Sequence, residues 1–328
     1  MGMIRNRLLG WLDRPTVLRR LALASVIANV VIVVTGGAVR LTGSGLGCPT
    51  WPSCTDSSLV PTKAYALHGI IEFTNRQLTF VLGVVAVLTL VAALRQHTER
   101  ALAAWALGII PAQAVVGGIS VKTQLNPWVV SLHFLISIVI IAIALVLYAR
   151  LAAWPAPAVP LNPVVGRLAQ ALVLAGAAVL IAGTVVTGAG PHPGDKNASG
   201  RVHRNGLNVA SMSQLHADLV MVLVGLSLGM LALVYAVGAG RAVRRAVWIL
   251  LAVEAAQAAI GYAQYFTGVP AGLVGLHMLG ACLLWIAVIG VRLRVLGVHR
   301  GANSGPTAEE PRPVRRSRQG EEPPALRS

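Results

Sequence analysis

Eight apolar runs of about 20 residues divide this sequence, near 21–40, 67–94, 101–121, 128–149, 168–189, 210–237, 246–267 and 272–293. As a helix, each is long enough to cross a hydrocarbon core of roughly 30 Å. The chain has 328 residues, 55% hydrophobic and only 12% charged, which is more apolar surface than a soluble fold can bury. A bilayer must therefore act as its solvent, and the expected fold is an all-α integral membrane protein with eight transmembrane helices. The first run is long and no small-residue cleavage site precedes the next loop, so it reads as a retained helix rather than a cleavable signal.

A formal net charge of +16 raises the question of nucleic acid, but the placement of the 27 Lys and Arg residues explains it as topology. With the N-terminus inside, the inner side collects 20 of them, against six outside: Arg40, Lys63, Lys122, Lys196, Arg201 and Arg204. Arg76 alone falls within a run. The positive-inside rule then places both termini of a multi-pass cell-membrane protein in the cytoplasm, with anionic lipid as a minor partner and no nucleic acid. The expected organisation is a cytoplasmic N-terminus (1–20), a first four-helix bundle (21–150), a Pro-rich cytoplasmic linker (151–167), a second bundle (168–293) and a tail (294–328). The tail is rich in Pro, Arg, Glu and Ser and is expected to be disordered.

The halves resemble each other at an offset of about 144 residues. "QAVVGGISVKTQLNPWVVSLHFL" (113–135) parallels "QAAIGYAQYFTGVPAGLVGLHML" (257–279), so Gln113 matches Gln257 and His133 matches His277. The first run of each half ends similarly, in "LTGSG" (41–45) and "VTGAG" (186–190). Four helices are an even number, so both copies enter the membrane in the same direction. That predicts a parallel repeat about an axis normal to the bilayer, not the inverted repeat of many transporters.

Polar groups inside hydrocarbon are costly and usually mark function. The inventory is His68, Glu72, Asn75 and Arg76 in the second run, His133 in the fourth, His216 and Asp218 in the sixth, Glu254 in the seventh and His277 in the eighth. The even-numbered runs all start outside, so His68, His133, His216 and His277 fall in one outer-leaflet layer. A lone histidine there reads as an interhelical hydrogen bond; four at similar depth point to ligation. Zinc wants three or four converging ligands, whereas two neutral imidazoles on facing helices suit the axial positions of a haem. No Cys-x-x-Cys-His is present, so the haem would be non-covalent. His216 and His277 form the cleanest pair. Asp218 is expected to orient His216 or to face water.

"HGIIEFTNR" (68–76) is the sharpest local feature. His68 and Glu72 are four apart and Glu72 and Asn75 three apart, so they share one helix face. The structural reading is a buried ion pair of Glu72 with Arg76. The functional reading makes Glu72 an acid or base at a porphyrin edge and Arg76 a partner for the carboxylate or a haem propionate. Cys48 and Cys54 lie close enough in one loop for a local bridge, while Cys282 stands alone in an apolar run as inert packing.

These segments resemble the haem A synthase family, and an actinobacterial-type member within it. "TGSGLGCPTWPSC" (42–54) is similar to the family's first outer loop with paired cysteines, and "IIEFTNR" (70–76) to its Glu-x-x-His-Arg segment. "VVSLHFLIS" (129–137), "QLHADLV" (214–220) and "LVGLHMLGA" (273–281) resemble its histidine segments, and the likeness runs in order over roughly residues 20–295. The resemblance implies a haem b held by His216 and His277, and a haem O substrate in the first half with His133 and the catalytic Glu72. It implies oxidation of a ring methyl of haem O through an alcohol to an aldehyde, giving haem A for cytochrome oxidase. Expected partners are the farnesyltransferase that makes haem O, an electron acceptor of unspecified identity and a possible second copy of the chain. Two departures stand out: Asn75 occupies the family's histidine position, with His68 as the possible substitute ligand, and the second outer loop, "GAGPHPGDKNASG" (188–200), lacks cysteines. The rival reading is a non-catalytic, quinol-linked di-haem b electron carrier.

Overall fold

Three of the eight long helices begin on a proline, Pro15, Pro127 and Pro163, whose fixed φ suits the first turn and whose missing N–H is not needed there. Asn126, Asn162 and Asn208 cap helix starts by accepting from the amides of Trp128, Val164 and Ser211. The helices are α1 (Pro15–Leu41), α2 (Ala66–Arg95), α3 (Arg100–Lys122), α4 (Pro127–Leu151), α5 (Pro163–Ala189), α6 (Val209–Ala236), α7 (Arg241–Phe266) and α8 (Ala271–Leu296). A short 3₁₀ turn, Gly10–Asp13, precedes them. The computed structural model describes residues 10–48, 50–61, 66–154, 161–195 and 204–297. The tail beyond 297, the prolines at 155, 157 and 160, and loop residues 196–203 lie outside the described residues.

All eight helices are long and apolar enough to span a membrane. They extend past the apolar runs mainly at the ends expected to face inside. Helix α1 starts at Pro15 instead of 21, α5 at Pro163 instead of 168, α7 at Arg241 instead of 246, and α8 continues to Leu296. Hydropathy stops at the first arginines, but an arginine stem can lie along the helix while its charge reaches the headgroup zone, so the backbone stays helical there. The expected N-terminal and tail segments therefore each give up some residues to a helix.

Each half closes into a ring of four neighbours, α1–α2–α3–α4 and α5–α6–α7–α8, and the rings meet where α1 and α4 pack on α8 and α4 packs on α5. This contact pattern is unchanged when α1–α4 are exchanged with α5–α8. The seam is apolar, with Val26, Ile138, Ile141, Leu145, Leu180, Cys282 and Trp285 buried together, and Trp285 donates its indole N–H to the Ile138 carbonyl at 3.0 Å. Cys282 is fully buried packing, as its apolar run suggested.

The arginine-rich helix ends are tied by charge. Arg95 binds both oxygens of Asp13, at 2.6 and 2.7 Å, and this hydrogen bonding holds the Asp13 carboxyl below the usual carboxylate range. Arg150 reaches Glu99 at 3.0 Å. At the outer ends, the Gly45 N–H donates to the Gly194 carbonyl at 2.7 Å and joins the first outer loop to the second.

Candidate haem-binding site

His133 and His277 each lie six residues past the start of their helices, Pro127 and Ala271, and His216 lies seven past Val209. At 1.5 Å per residue these three rings share a depth of about 10 Å along their helices. His68 is only two residues past Ala66, a turn or more farther out. The expected layer of four histidines is therefore a layer of three.

These rings open onto a cavity of about 2190 Å³ lined from both halves. A pocket for one small ligand occupies roughly 300–1,000 Å³, so this volume accommodates two large groups. Its walls include Glu72, Asn75, Arg76 and His133 on one side and His216, Glu254 and His277 on the other. His68 is not among the lining residues; its Nδ1 sits 2.8 Å from the Ser44 hydroxyl in the first outer loop. Its role in the structure is to hold that loop, and Asn75 is the residue that faces the cavity.

In the second half, the His216 and His277 rings stand with centroids 6.5 Å apart and planes at 72°. A metal bound at about 2 Å to one nitrogen of each imidazole fits between rings at that separation. The Nδ1 of His216 is 3.1 Å from the Val179 carbonyl. A carbonyl can only accept, so Nδ1 carries the proton and the Nε2 lone pair is left for a ligand. Asp218, expected beside His216, instead accepts from Gln214 at 2.7 Å on an exposed face, one turn along its own helix. Among the described residues no group of three or more His, Cys, Asp or Glu gathers as zinc would require. The donor set is two facing imidazoles and suits a six-coordinate haem iron.

His133 and His277 are held alike. Gln113 donates to the His133 carbonyl at 2.9 Å and Gln257 to the His277 carbonyl at 3.0 Å. Beneath each ring is a glycine, Gly117 or Gly261, where a Cβ would stand 3.3 or 3.7 Å from Cε1. Gly183 serves His216 similarly, at 3.3 Å. The buried Nδ1 atoms of His133 and His277 have no hydrogen-bond partner. Asn75 occupies the matching place on α2, accepting from the Thr35 hydroxyl at 2.8 Å, with its Nδ2 facing Gly36.

Glu72 is 6% exposed and is fully engaged. One carboxylate oxygen pairs with Arg76 and the other accepts from the Cys48 N–H at 2.6 Å. Arg76 also donates to the carbonyls of Cys48 (3.1 Å) and Thr50 (3.1 Å). The expected pairing of Arg76 with the Glu72 carboxylate is present in the structure. The pair clamps the loop closed by the Cys48–Cys54 disulfide, and that loop lays Trp51 and Pro52 over the cavity. The Trp51 ring sits against Gly118, where any Cβ would collide with it. Both cysteines are buried, at 0% and 1% exposure.

Sequence reasoning did not pick out the two glutamines, the glycines under the rings, or Trp51 as part of the site. A signal was present: "QAVVG" (113–117) and "QAAIG" (257–261) repeat one Gln-x-x-x-Gly spacing. It also left unread the pairing of Glu254 with Ser227 at 2.7 Å.

The chain matches the family model described as cytochrome oxidase assembly protein, COX15-CtaA, over residues 19–289. Three similar curated proteins bear the name haem A synthase. That of Lysinibacillus sphaericus is 31% identical over 150 residues, 44% of this chain and 45% of the relative. That of Exiguobacterium sibiricum is 33% identical over 123 residues (36% and 41%), and that of Geobacillus thermodenitrificans 30% over 112 residues (33% and 34%). The matched part is thus a third to under half of each relative's length.

Proposed function

The chain belongs to the COX15-CtaA family of cytochrome oxidase assembly proteins, and on that premise we propose that it is a haem A synthase, an oxidoreductase that converts a ring methyl of haem O to a formyl group. The observation that carries this reading is the inequality of two sites on one cavity. One holds an imidazole pair, His216 and His277; the other lines the cavity with His133, Asn75 and a clamped carboxylate, Glu72. A pair of strong axial ligands suits a resident cofactor. A site with one imidazole suits a substrate that must leave.

His216 and His277 would hold haem b, which when bound supplies a one-electron redox centre. In the first half His133 would position haem O, with Asn75 opposite. Glu72 lines the cavity with both oxygens already accepting, so its part is that of a fixed negative charge that stabilises positive charge developing at the methyl carbon. Arg76 holds that carboxylate and the lid, and the Trp51 lid covers the cavity where the reacting edge would lie. The parallel repeat supplies the frame: one four-helix unit, used twice about an axis normal to the bilayer, in a cell-membrane protein with both termini in the cytoplasm. The substrate comes from the farnesyltransferase that makes haem O; water supplies the formyl oxygen, and four electrons and four protons leave, the electrons to a separate acceptor.

The test is expression of the full chain beside a haem O source, followed by haem extraction. Haem A is expected in the extract, lost in Glu72→Ala while haem b is retained. Haem b alone in every case, at two per chain, would instead establish the di-haem electron carrier.

A further inference from the structure

Two arginines from different halves converge at the outer mouth of the cavity. Arg40, at the end of α1, donates from Nε to the His192 carbonyl at 3.0 Å and from Nη2 to the Thr187 carbonyl at 3.0 Å. Arg204, just before α6, donates to the same two carbonyls, at 3.4 Å to His192 and 2.6 Å to Thr187. Two guanidiniums therefore share two backbone acceptors. The ion pairs formed between described residues, Arg76–Glu72, Arg95–Asp13 and Arg150–Glu99, include neither of them. The Arg204 Nε–H is buried without a partner, and Arg40 lines the cavity, its Nη1 bonded to none of the described residues. Like charges gathered in a poorly solvated place call for an anion.

Their position says which anion. Thr187 is four residues beyond Gly183, the glycine that faces the His216 ring, so its level is one helical turn, roughly 6 Å, farther along on the same face. On the other side, Leu41 abuts Gly275 while Gly37 takes Met278, next to His277. Arg40 is thus at the level of the α8 segment that carries His277. A flat tetrapyrrole with its metal between His216 and His277 carries its two carboxylate arms on one edge, and an outward-facing edge meets this cationic pair.

Building on the haem reading of the second half, we propose that Arg40 and Arg204 form an anion seat that takes the carboxylate arms of the tetrapyrrole ligated by His216 and His277. Arg40 makes the direct contact and Arg204 adds the second positive charge. Because α1 brings Arg40 from the first half, filling the second-half site also fastens the two halves together.

The experiment titrates purified, haem-depleted full-length protein in neutral detergent with iron protoporphyrin IX and with its dimethyl ester, which keeps the metal and masks both carboxylates. The wild type is expected to bind the free acid about tenfold or more tightly than the ester. Arg40→Gln removes most of that preference and Arg204→Gln a smaller part, with the low-spin bis-imidazole spectrum kept in both. Equal affinity for acid and ester in the wild type, which needs no variant to fold, overturns the seat while leaving the axial ligands standing. A preference abolished by added anionic lipid assigns the seat to a lipid headgroup and also overturns it. Absence of any low-spin spectrum in the wild type removes the haem reading, and the seat with it.

Discussion

The two halves share a ring of four helices, a Gln-to-His carbonyl bond and a glycine beneath the imidazole, yet they part at the same point of the ring. Where α6 offers His216, α2 offers Asn75, held by Thr35. Around that exchange the loops differ too. The first is stapled by Cys48–Cys54 and clamped through Arg76 and Glu72; the second has no cysteine and is anchored by His192, whose Nε2 lies 2.9 Å from the Val269 carbonyl. On the proposed haem reading, one frame would thus give a two-ligand site and a one-ligand site under a fastened lid. Removing a ligand changes residence time more than fold, and a substrate site needs release.

The severest test removes ligands one by one. His216→Ala and His277→Ala are each expected to abolish bound haem b, seen as loss of the low-spin absorbance of the purified protein. His133→Ala should leave that absorbance intact and stop haem A formation. If His133→Ala also emptied the second half, the two sites would not be separable and the comparison would fail. The converse experiment restores symmetry: Asn75→His should raise bound haem from one toward two per chain and lower haem A yield about tenfold or more, because a second axial imidazole strengthens retention. Unchanged stoichiometry would mean that the α2 position does not reach the ligand.

Much of this was readable from the sequence, and the reasons are specific. Helix number and order followed from hydropathy because a bilayer leaves little choice. His133, His216 and His277 were legible because imidazoles at one depth are rare in hydrocarbon. His68 was misjudged because depth counted in residues does not tell which way a side chain leans; its ring turns to Ser44. Of the two alternatives for Asp218, orienting His216 or facing water, the structure has the exposed one: residues two apart on a helix do not face each other, and the Val179 carbonyl lies against the His216 Nδ1 instead. The Arg76–Glu72 pair was readable from the i,i+4 spacing, but the bonds from Arg76 to the Cys48 and Thr50 carbonyls depend on the fold of loop 48–54.

A smaller effect is expected from the lid clamp, which exists only in the first half. Arg76→Ala leaves Glu72 buried without its counter-charge and frees the carbonyls of Cys48 and Thr50. Breaking a largely buried pair on one side destabilises by about 3 kcal/mol, read as a lower thermal midpoint in detergent. Haem b should stay bound, since the second half has no share in this clamp. Loss of haem b in parallel would show the lid to be structural for the whole molecule.

The last difference lies deeper. The offset that matches Gln113 to Gln257 matches Ile110 to Glu254, and the offset that matches Asn75 to His216 matches Ala86 to Ser227. Ile110 and Ala86 pack together in an apolar cluster, whereas Glu254 accepts from the Ser227 hydroxyl and its other oxygen is buried with no partner. If this polar pair is only tolerated, replacing it with its first-half counterpart should be nearly neutral. Ser227→Ala alone strands the carboxyl and should destabilise by about 1–2 kcal/mol. The double variant Ser227→Ala with Glu254→Ile should recover that loss, because both polar groups leave together and the space is filled. Thermal midpoints of the single and double variants, each measured with haem b bound, decide it. A double variant less stable than Ser227→Ala, or one that loses haem b, would mean that Glu254 works for the second-half site, and the halves would then differ in the machinery beneath the ligands as well as in the ligands.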